Sequence, residues 1–424
     1  MSTFIKKGIS VIGILVFGAV FGAVLLTLVF CLPVDRMYDG YLNNGLKSVE
    51  RREGWHRYLY DYDASTLDNC TEYLMLKVAS TPLPSTGENI FQKAMRCYTL
   101  NGEWNHGLTF LQYEWKGQSL SCDSYERYWH GYAVILKPLL MIFTYTDIVF
   151  INIAMHIFLM FFLFLSLKKR NLSYLQAAFV ILWVISMQIV IMLCLDYSIC
   201  FYIYMLATLV LIYCPKCQKE YIHFFMIIGM ITSYLDLLTW PLVTLAVPLT
   251  VFICMEQTKS VKEKIKKGLG GSLFWGIGYI GQWMSKWIIA SLVLSDNVIV
   301  DAAKQFLLRS SSSSEAQNSV GKAVLFRTLK RNFSVFLEKG FVIILIVIIV
   351  YLVWYLCSQK GRVSIISMIP FIMVSFYPLG WYMVTRNHSY VHYWMTWRNL
   401  TISFFAICCG VLYCGCHHDE RCID

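Results

Sequence analysis

Charged residues are scarce in this chain. Lysine, arginine, aspartate and glutamate together make up 15% of the 424 residues, whereas hydrophobic residues make up 57%. Soluble domains carry about 25% charged residues, so this composition excludes a soluble globular protein. Several apolar runs reach the roughly 20 residues that a helix needs to cross a bilayer. The composition therefore predicts an all-α polytopic membrane protein.

The N-terminal segment lacks a signal-peptide cleavage site. Lys6 and Lys7 precede about two dozen apolar residues, and no small-x-small motif follows them. A signal-peptide core has only roughly 7–15 apolar residues, so this run is too long for one. We expect the segment to remain in the membrane as the first transmembrane helix.

About ten apolar segments have the composition of membrane-spanning helices. They cover residues 9–31, 148–167, 174–194, 198–213, 222–236, 241–255, 272–294, 341–358, 363–384 and 399–415. Lysine and arginine collect in alternate connections, which are those that contain Lys6, Lys168, Lys216, Lys264 and Lys360. The positive-inside rule places these connections, and with them both termini, in the cytoplasm. The chain is expected to be a multi-pass protein of the plasma membrane.

The spans divide the chain into five parts. We predict a first transmembrane helix (1–32), a large α-rich outer loop (33–147), a transmembrane bundle (148–294), a basic outer loop (295–340) and C-terminal transmembrane helices (341–424). The segment from Tyr132 to Tyr145 is apolar, but it is short and contains Lys137 and Pro138. A helix in the membrane interface explains this segment better than a span does.

Features of three other function classes are missing or weak. The net charge of +10 is spread over several connections, without one basic patch that contains stacking aromatics, which argues against nucleic acid as a partner. No repeat relates two halves, and the charges lie near one membrane face instead of at mid-span, which disfavours a transporter. A purely structural scaffold is disfavoured by the many aromatic and ionisable residues in the outer loops.

The stretch from Ile222 to Met255 is too long for one crossing. As a helix it would extend about 50 Å, compared with roughly 30 Å for the hydrocarbon core. Asp236 and Pro241 mark the place where it can turn, because proline breaks a helix and restricts the residue before it. A carboxylate at the tip of this helical hairpin is a candidate site residue. The alternative is a helix-terminal carboxylate in interfacial water.

Two more carboxylates follow the first span. Asp35 and Asp39 are four residues apart, so on a helix they share one face near the lipid head groups. A like-charged pair either binds a cation or raises the pKa of one member, which suits a metal ligand or a general base. The predicted catalytic candidates are therefore Asp39, Asp35 and Asp236. Asp39 is favoured because Gly40 beside it lets an acceptor approach closely.

Basic and imidazole side chains collect in the last outer connection. They are Arg386, His388, His392 and Arg398, and the two histidines are four residues apart. With His130 from the large outer loop, these residues form the predicted substrate-binding set. The surrounding aromatic residues leave another interpretation open, which is an aromatic belt at the membrane interface.

The predicted topology resembles that of the GT-C superfamily of integral-membrane glycosyltransferases. The shared features are a cytoplasmic N-terminus, a first span, a long outer loop with an acidic residue directly after that span, and a multi-span bundle. The resemblance implies transfer of a sugar from a polyprenyl-phosphate lipid donor, at the outer membrane face, to a cell-surface glycan, polymer or lipid acceptor. It implies that Asp35 or Asp39 is the base, and that Arg386 and Arg398 contact the donor phosphate.

This chemistry is coherent with the residue types. A base deprotonates the acceptor hydroxyl, and a cation stabilises the departing phosphate. Arginine, histidine or a divalent cation such as Mg²⁺ or Mn²⁺ can supply the positive charge, and arginine offers a bidentate match to phosphate. Two alternatives stay open. One is a polysaccharide polymerase or ligase that uses a polyprenyl-diphosphate glycan, and the other is a lipid or solute transporter.

Overall fold

The structure is a computed structural model that describes residues 3–40, 55–59, 62–81, 83–84, 86–100, 122–256, 260–311, 325–358 and 364–416. The N-terminal part contains α1 (Thr3–Phe30), α2 (Asp35–Gly40), α3 (Asn69–Ser80), α4 (Ile90–Arg96), the antiparallel strands β1 (Thr99–Leu100) and β2 (Cys122–Asp123), and α5 (Ala133–Leu140). The central part contains α6 (Tyr145–Lys169), α7 (Leu175–Ile185), α8 (Gln188–Leu193), α9 (Leu195–Tyr213), α10 (Pro215–Lys219), α11 (Tyr221–Leu235), α12 (Leu242–Met255) and α13 (Val261–Val293).

The C-terminal part is also helical. It contains α14 (Val298–Ser310), α15 (Leu325–Ser334), α16 (Lys339–Ser358), α17 (Ile365–Ser375), α18 (Tyr377–Val384), α19 (Arg386–Val391), α20 (Tyr393–Thr396) and α21 (Thr401–Cys416). Short 3₁₀ helices cover Asp63–Ser65, Val335–Leu337 and Trp397–Leu400.

Within the described ranges, six segments are long and apolar enough to cross a membrane. They are Gly8–Phe30, Tyr145–Lys169, Leu195–Tyr213, Lys339–Ser358, Ile365–Val384 and Tyr393–Cys416. These segments support the prediction of an all-α membrane protein, but the predicted number of about ten spans is not confirmed. Three other predicted spans fall on the shorter apolar helices α7, α11 and α12. The fourth lies inside the 33-residue helix α13.

The stretch from Ile222 to Met255 turns where the sequence predicts. Helix α11 ends at Leu235, and α12 begins directly after Pro241. The connection between them contains Leu238 with φ at +66°, a left-handed conformation that bulky side chains rarely adopt. The two helices therefore meet in a sharply bent, defined turn that presents backbone groups to its surroundings.

Helices α11 and α13 pack closely against each other. A Cβ atom at Gly229 would lie 2.1 Å from the carbonyl oxygen of Trp275, and one at Gly278 would lie 2.0 Å from that of Met226. Only glycine lets the two backbones approach so closely, which is the usual role of small residues at membrane helix crossings. The turn at the end of α11 is therefore held in a fixed position relative to α13.

Helix α13 also positions the segment that precedes α5. The indole N–H groups of Trp283 and Trp287 both donate to the carbonyl oxygen of Arg127, at 3.0 and 2.9 Å. The ring of Tyr128 packs on Trp283 with centroids 5.5 Å apart. Residues 125–130 are therefore placed against the C-terminal half of α13, next to the turn after α11.

Candidate functional site

A cavity of about 450 Å³, lined by both polar and apolar side chains, lies where several parts of the chain meet. These parts are the start of α3, the segment before α5, the end of α14, and the region of α19 and α20. Its wall contains the aromatic residues Trp55, Tyr125, Tyr128 and Trp394 and the polar residues Asp68, Thr71, Arg309, His388 and His392. The volume is within the roughly 300–1,000 Å³ of small-molecule sites, and charged and hydrogen-bonding side chains converge on it, so this cavity is a candidate binding site.

A smaller recess of about 200 Å³ shares one side of the cavity wall. Arg309, His388 and His392 line both spaces, and Gln305 and Asn387 add amide groups to the recess. The described side chains that line the recess include a guanidinium and two amides, with no carboxylate among them. Donor groups of this kind suit an anion.

His388 orients Arg309. The Nε2–H of His388 donates to the carbonyl oxygen of Leu238 at 3.1 Å, and Nδ1 accepts from Nη1 of Arg309 at 2.8 Å. A carbonyl only accepts and a guanidinium only donates, so this pattern requires a neutral imidazole. Burial, and then the neighbouring His392 and Arg309, hold the pKa of His388 well below its usual range. His388 thus holds the guanidinium in place without adding charge.

Arg309 carries a positive charge that is available to a ligand. Among the residues that the structure describes, no carboxylate forms an ion pair with it. Its guanidinium lies 5.9 Å from the centroid of the Tyr128 ring, and the side chain is half-buried between cavity and recess. A partly desolvated, pre-oriented guanidinium is a strong binding group for phosphate.

Asp68 is the carboxylate on the cavity wall. As the N-cap residue of α3, it accepts the Thr71 N–H at 3.1 Å through Oδ1, and Oδ2 accepts the indole N–H of Trp394 at 3.2 Å. Burial is the largest influence on its pKa and raises it above the usual value. A carboxylate has about four lone-pair sites, so Asp68 can still accept a proton from a ligand in the cavity.

Asp236 points into its own turn and does not line the cavity. Its carboxylate accepts the Thr239 hydroxyl at 2.5 Å, the Thr239 N–H, and the Cys200 thiol at 3.4 Å. Burial raises the pKa of this carboxyl group, which lies inside the protein and not in interfacial water. The turn that Asp236 holds together supplies the Leu238 carbonyl to which His388 donates, so Asp236 acts on the site only through the backbone.

The two predicted arginines lie away from the cavity wall. Arg398 is fully buried and donates to three backbone carbonyl oxygens, those of Ser186 (3.3 Å), Trp394 (3.0 Å) and Ala64 (3.3 Å). Arg386 is half-buried and lines neither space, and its Nε has no hydrogen-bond partner among the described residues. The contacts of Arg398 therefore give it a structural role. Arg309, and not Arg386 or Arg398, is the arginine that lines the cavity.

His130 and His392 occupy different positions. His392 lies on the wall of both spaces, with its ring centroid 4.7 Å from that of His388. His130 is buried behind the wall, where its Nε2–H donates to the Tyr125 carbonyl at 3.0 Å and its Nδ1 accepts from the Tyr132 hydroxyl at 2.8 Å. His130 thus supports a segment of the wall and is not in contact with the cavity.

The predicted carboxylate pair lies on a short helix, as the spacing indicates. Asp35 and Asp39 are both in α2, which packs against α3 and α5. The Asp35 side chain is exposed and lines neither the cavity nor the recess. The side chain of Asp39 is outside the described part of the structure. Their role as base stays a prediction.

Two of the most informative wall residues were not predicted from the sequence. Asp68 precedes Asn-Cys-Thr at the start of an amphipathic segment, which is a signal for a helix N-cap. Arg309 directly precedes a run of serines and looks like the end of a helix before a linker. The local sequence gives each residue an ordinary structural role, and only the tertiary fold brings both to one cavity.

The buried neutral histidines make stability depend on pH. The pKa of folded His130 is lowered to about 3 by burial, compared with about 6.5 for an unfolded histidine. As the pH falls below 6.5, only the unfolded state takes up the proton, so the free energy of unfolding decreases by up to about 1.4 kcal/mol per pH unit for each such histidine. The contribution of each such histidine to the free energy of unfolding is fully present above pH 6.5 and is lost as the pH falls toward 3.

We expect the thermal midpoint of the wild-type protein to fall between pH 7 and pH 5, and to fall less steeply in His130→Asn. Asparagine tolerates the positive φ of 52° at this position and does not titrate. Between pH 7 and pH 8 the difference between the two proteins should be constant. Equal slopes for both proteins from pH 7 to pH 5 would show that His130 is not held neutral.

A divalent cation has no obvious site in the described residues. No three histidine, cysteine, aspartate or glutamate side chains in the described part of the chain are arranged so that they could hold a metal ion. Comparison of the chain with protein-family models, with curated proteins and with solved structures gives no match.

Proposed function

We propose that the protein is a membrane glycosyltransferase that transfers a sugar from a polyprenyl-phosphate donor to a cell-surface glycan, polymer or lipid acceptor. The observation that carries this proposal is one cavity that contains a buried carboxylate, several aromatic rings and a guanidinium with no ion-pair partner among the described residues. Arg309 matches the donor phosphate, Asp68 matches a base, and Trp55 and Trp394 offer flat apolar faces to a sugar ring.

In the proposed reaction, the acceptor hydroxyl attacks the anomeric carbon of the donor and the bond to the phosphate oxygen breaks. Asp68 accepts the hydroxyl proton, and its raised pKa makes it a stronger base than an exposed carboxylate. Arg309, held by His388, donates to the phosphate as negative charge develops on it. Since no metal-holding group is found in the described residues, no step is assigned to a metal ion.

The cavity is proposed to face the outside of the plasma membrane. Lys262, Lys264, Lys266 and Lys267 lie in the first turns of α13, whereas Trp283 contacts the cavity segment about 20 residues further along. At about 1.5 Å per residue these points are roughly 30 Å apart, which is the thickness of the hydrocarbon core. With the lysine-rich end in the cytoplasm, the cavity lies at the opposite face.

The recess supports an alternative donor, which is a polyprenyl-diphosphate glycan. Its volume of about 200 Å³, next to Arg309 and two amides, offers room for another anionic group. A polymerase or ligase that uses a polyprenyl-diphosphate glycan would place its second phosphate there.

Binding of a short-chain isoprenyl-phosphate sugar to the purified protein tests the proposal. Arg309→Gln should weaken binding by about ten- to hundredfold, because a charge-assisted hydrogen bond contributes roughly 1.5–3 kcal/mol. Arg309→Lys should also weaken it, since the planar fork is lost. The matched control is Lys304→Gln, which removes an exposed charge from the same helix and should leave the affinity unchanged. Equal affinity in Arg309→Gln and wild type would refute the assignment.

The same titration with the isoprenyl-diphosphate sugar distinguishes the two donors. Tighter binding of the diphosphate, with a larger loss in Arg309→Gln, would favour the polymerase or ligase. Tighter binding of the monophosphate would favour the glycosyltransferase.

A further inference from the structure

Three carboxyl groups lie together at the cavity, with Asp68 on its wall and Glu72 and Asp196 behind the wall. Asp68 and Glu72 are one turn apart on α3, and Asp196 is in the first turn of α9. The two helices are joined at this point, because the Leu195 N–H donates to one oxygen of Glu72, and the hydroxyl of Tyr145 donates to the other. The charges of Asp68 and Glu72 both act on Asp196.

Asp196 differs from the other two carboxyl groups in its surroundings. Asp68 and Glu72 each accept hydrogen bonds from two donors. Asp196 is fully buried, and neither of its oxygens accepts a hydrogen bond of normal geometry in the described structure, although the backbone N–H of Tyr197 lies nearby. An ionised carboxylate in this position would have no contact with bulk solvent and no good donor among the described residues to stabilise it.

The charges around the cluster do not balance if all three groups are ionised. Arg398 is the cation that faces it, and its Nε, Nη1 and Nη2 atoms each donate to a backbone carbonyl oxygen. Apart from its three members, the titratable and charged groups that face the cluster include Cys70, Tyr145, Cys194, Tyr197 and Arg398. Three carboxylates against one guanidinium would leave an excess negative charge in a site without solvent, which is very costly.

We propose that Asp68, Glu72 and Asp196 form a proton-binding site, with the proton held on Asp196. The ligand is a proton and not a metal ion, since the described residues contain no group of three metal-binding side chains with suitable geometry. Neutral Asp196 has a consequence for the cavity. A second buried charge beside Asp68 would favour the protonated form of Asp68, so the proton on Asp196 keeps Asp68 able to ionise.

Infrared spectroscopy of the purified protein tests this proposal directly. A protonated carboxyl group has a C=O stretching band that an ionised carboxylate lacks, and we expect this band at pH 7 and still at pH 8. Carbon-13 labelling of aspartate should shift the band, whereas labelling of glutamate should not. The labelling experiment uses only the wild-type protein, so its result does not depend on whether a variant folds.

Asp196→Asn should abolish the band and keep the thermal midpoint of the wild type, because asparagine is neutral and has the shape of the protonated acid. The matched control is Asp301→Asn, which removes a partly exposed carboxylate paired with Arg127 and should leave the band unchanged. Absence of the band in the wild type would overturn the proposal, as would a band that shifts with glutamate labelling. Loss of the band on addition of sodium or potassium would show a monovalent cation site instead. Since the band is measured without a donor, its absence would not affect the proposed function.

Discussion

Replacement of Asp68 by asparagine is expected to lower the turnover number by roughly 100-fold or more, because the variant cannot accept the proton of the acceptor hydroxyl. Asparagine is itself a good N-cap residue and can still accept the Thr71 N–H, so α3 should remain intact. The measurement is the initial rate of sugar transfer at saturating donor. A loss confined to the rate, with donor affinity unchanged, is the signature of a base.

Three other carboxylates serve as comparisons for Asp68. Asp236→Asn should change turnover only slightly, because asparagine can still accept the Thr239 hydroxyl and keep the turn. Asp35→Asn should also have little effect, since Asp35 is exposed and lines neither the cavity nor the recess. Asp39→Asn tests the competing prediction from the sequence, in which Asp39 is the base. Wild-type turnover in Asp68→Asn together with a large loss in Asp39→Asn would move the base to α2.

Arg398→Met is expected to lower the free energy of unfolding by about 3–5 kcal/mol, the typical loss when one partner of a buried charge arrangement is removed. The variant removes a hydrogen-bond donor from each of three carbonyl oxygens and removes the cation that faces the buried carboxyl cluster. Arg398 also stacks on Tyr197, with its guanidinium carbon 4.2 Å from the ring centroid. The effect should appear in thermal or denaturant unfolding of the purified protein.

Arg398→Lys separates a structural role from a role in donor binding. Lysine keeps the charge but cannot reach three carbonyls with a planar fork, so we expect a clear loss of stability. The matched control Arg386→Lys should cost little, because Arg386 is only half-buried. A stable Arg398→Lys protein with weakened donor binding would instead support the role at the donor phosphate that the resemblance implies.

The turn after α11 and the histidine pair were predictable because their signals are local. Pro241 cannot continue a helix, and the carboxylate of Asp236 ahead of it caps the turn through Thr239. The spacing of His388 and His392 places both on one side of a short segment, and both do line the cavity. In these cases a few neighbouring residues determine the conformation.

The roles of Arg398, Arg309 and Asp68 depend on distant parts of the chain. Arg398 and Arg309 have the same side chain but different partners. Arg398 donates to carbonyl oxygens from two remote segments, whereas Arg309 donates to a histidine 79 residues further along the chain. Asp68 is on the cavity wall beside Trp394, which lies 326 residues further along the chain and donates a hydrogen bond to it. Nothing in the local sequence distinguishes a structural arginine from one at a binding site.

The number of spans was hard to predict for a related reason. Apolar runs show which segments avoid water, but they do not show where a helix is interrupted. The predicted span 174–194 contains a break at Met187, whose φ is +55°. The predicted span 272–294 continues N-terminally into the lysine-rich start of α13. Composition therefore identifies the class of protein more securely than it identifies the ends of its helices.

The most direct measurement is a cryo-electron microscopy structure of the protein with an isoprenyl-phosphate sugar whose linkage cannot be cleaved. The proposal predicts the phosphate against the guanidinium of Arg309 and the imidazole of His392, and the sugar ring against Trp394, beside the carboxylate of Asp68. Ligand density at another place in the protein, with the cavity beside Arg309 empty, would contradict it.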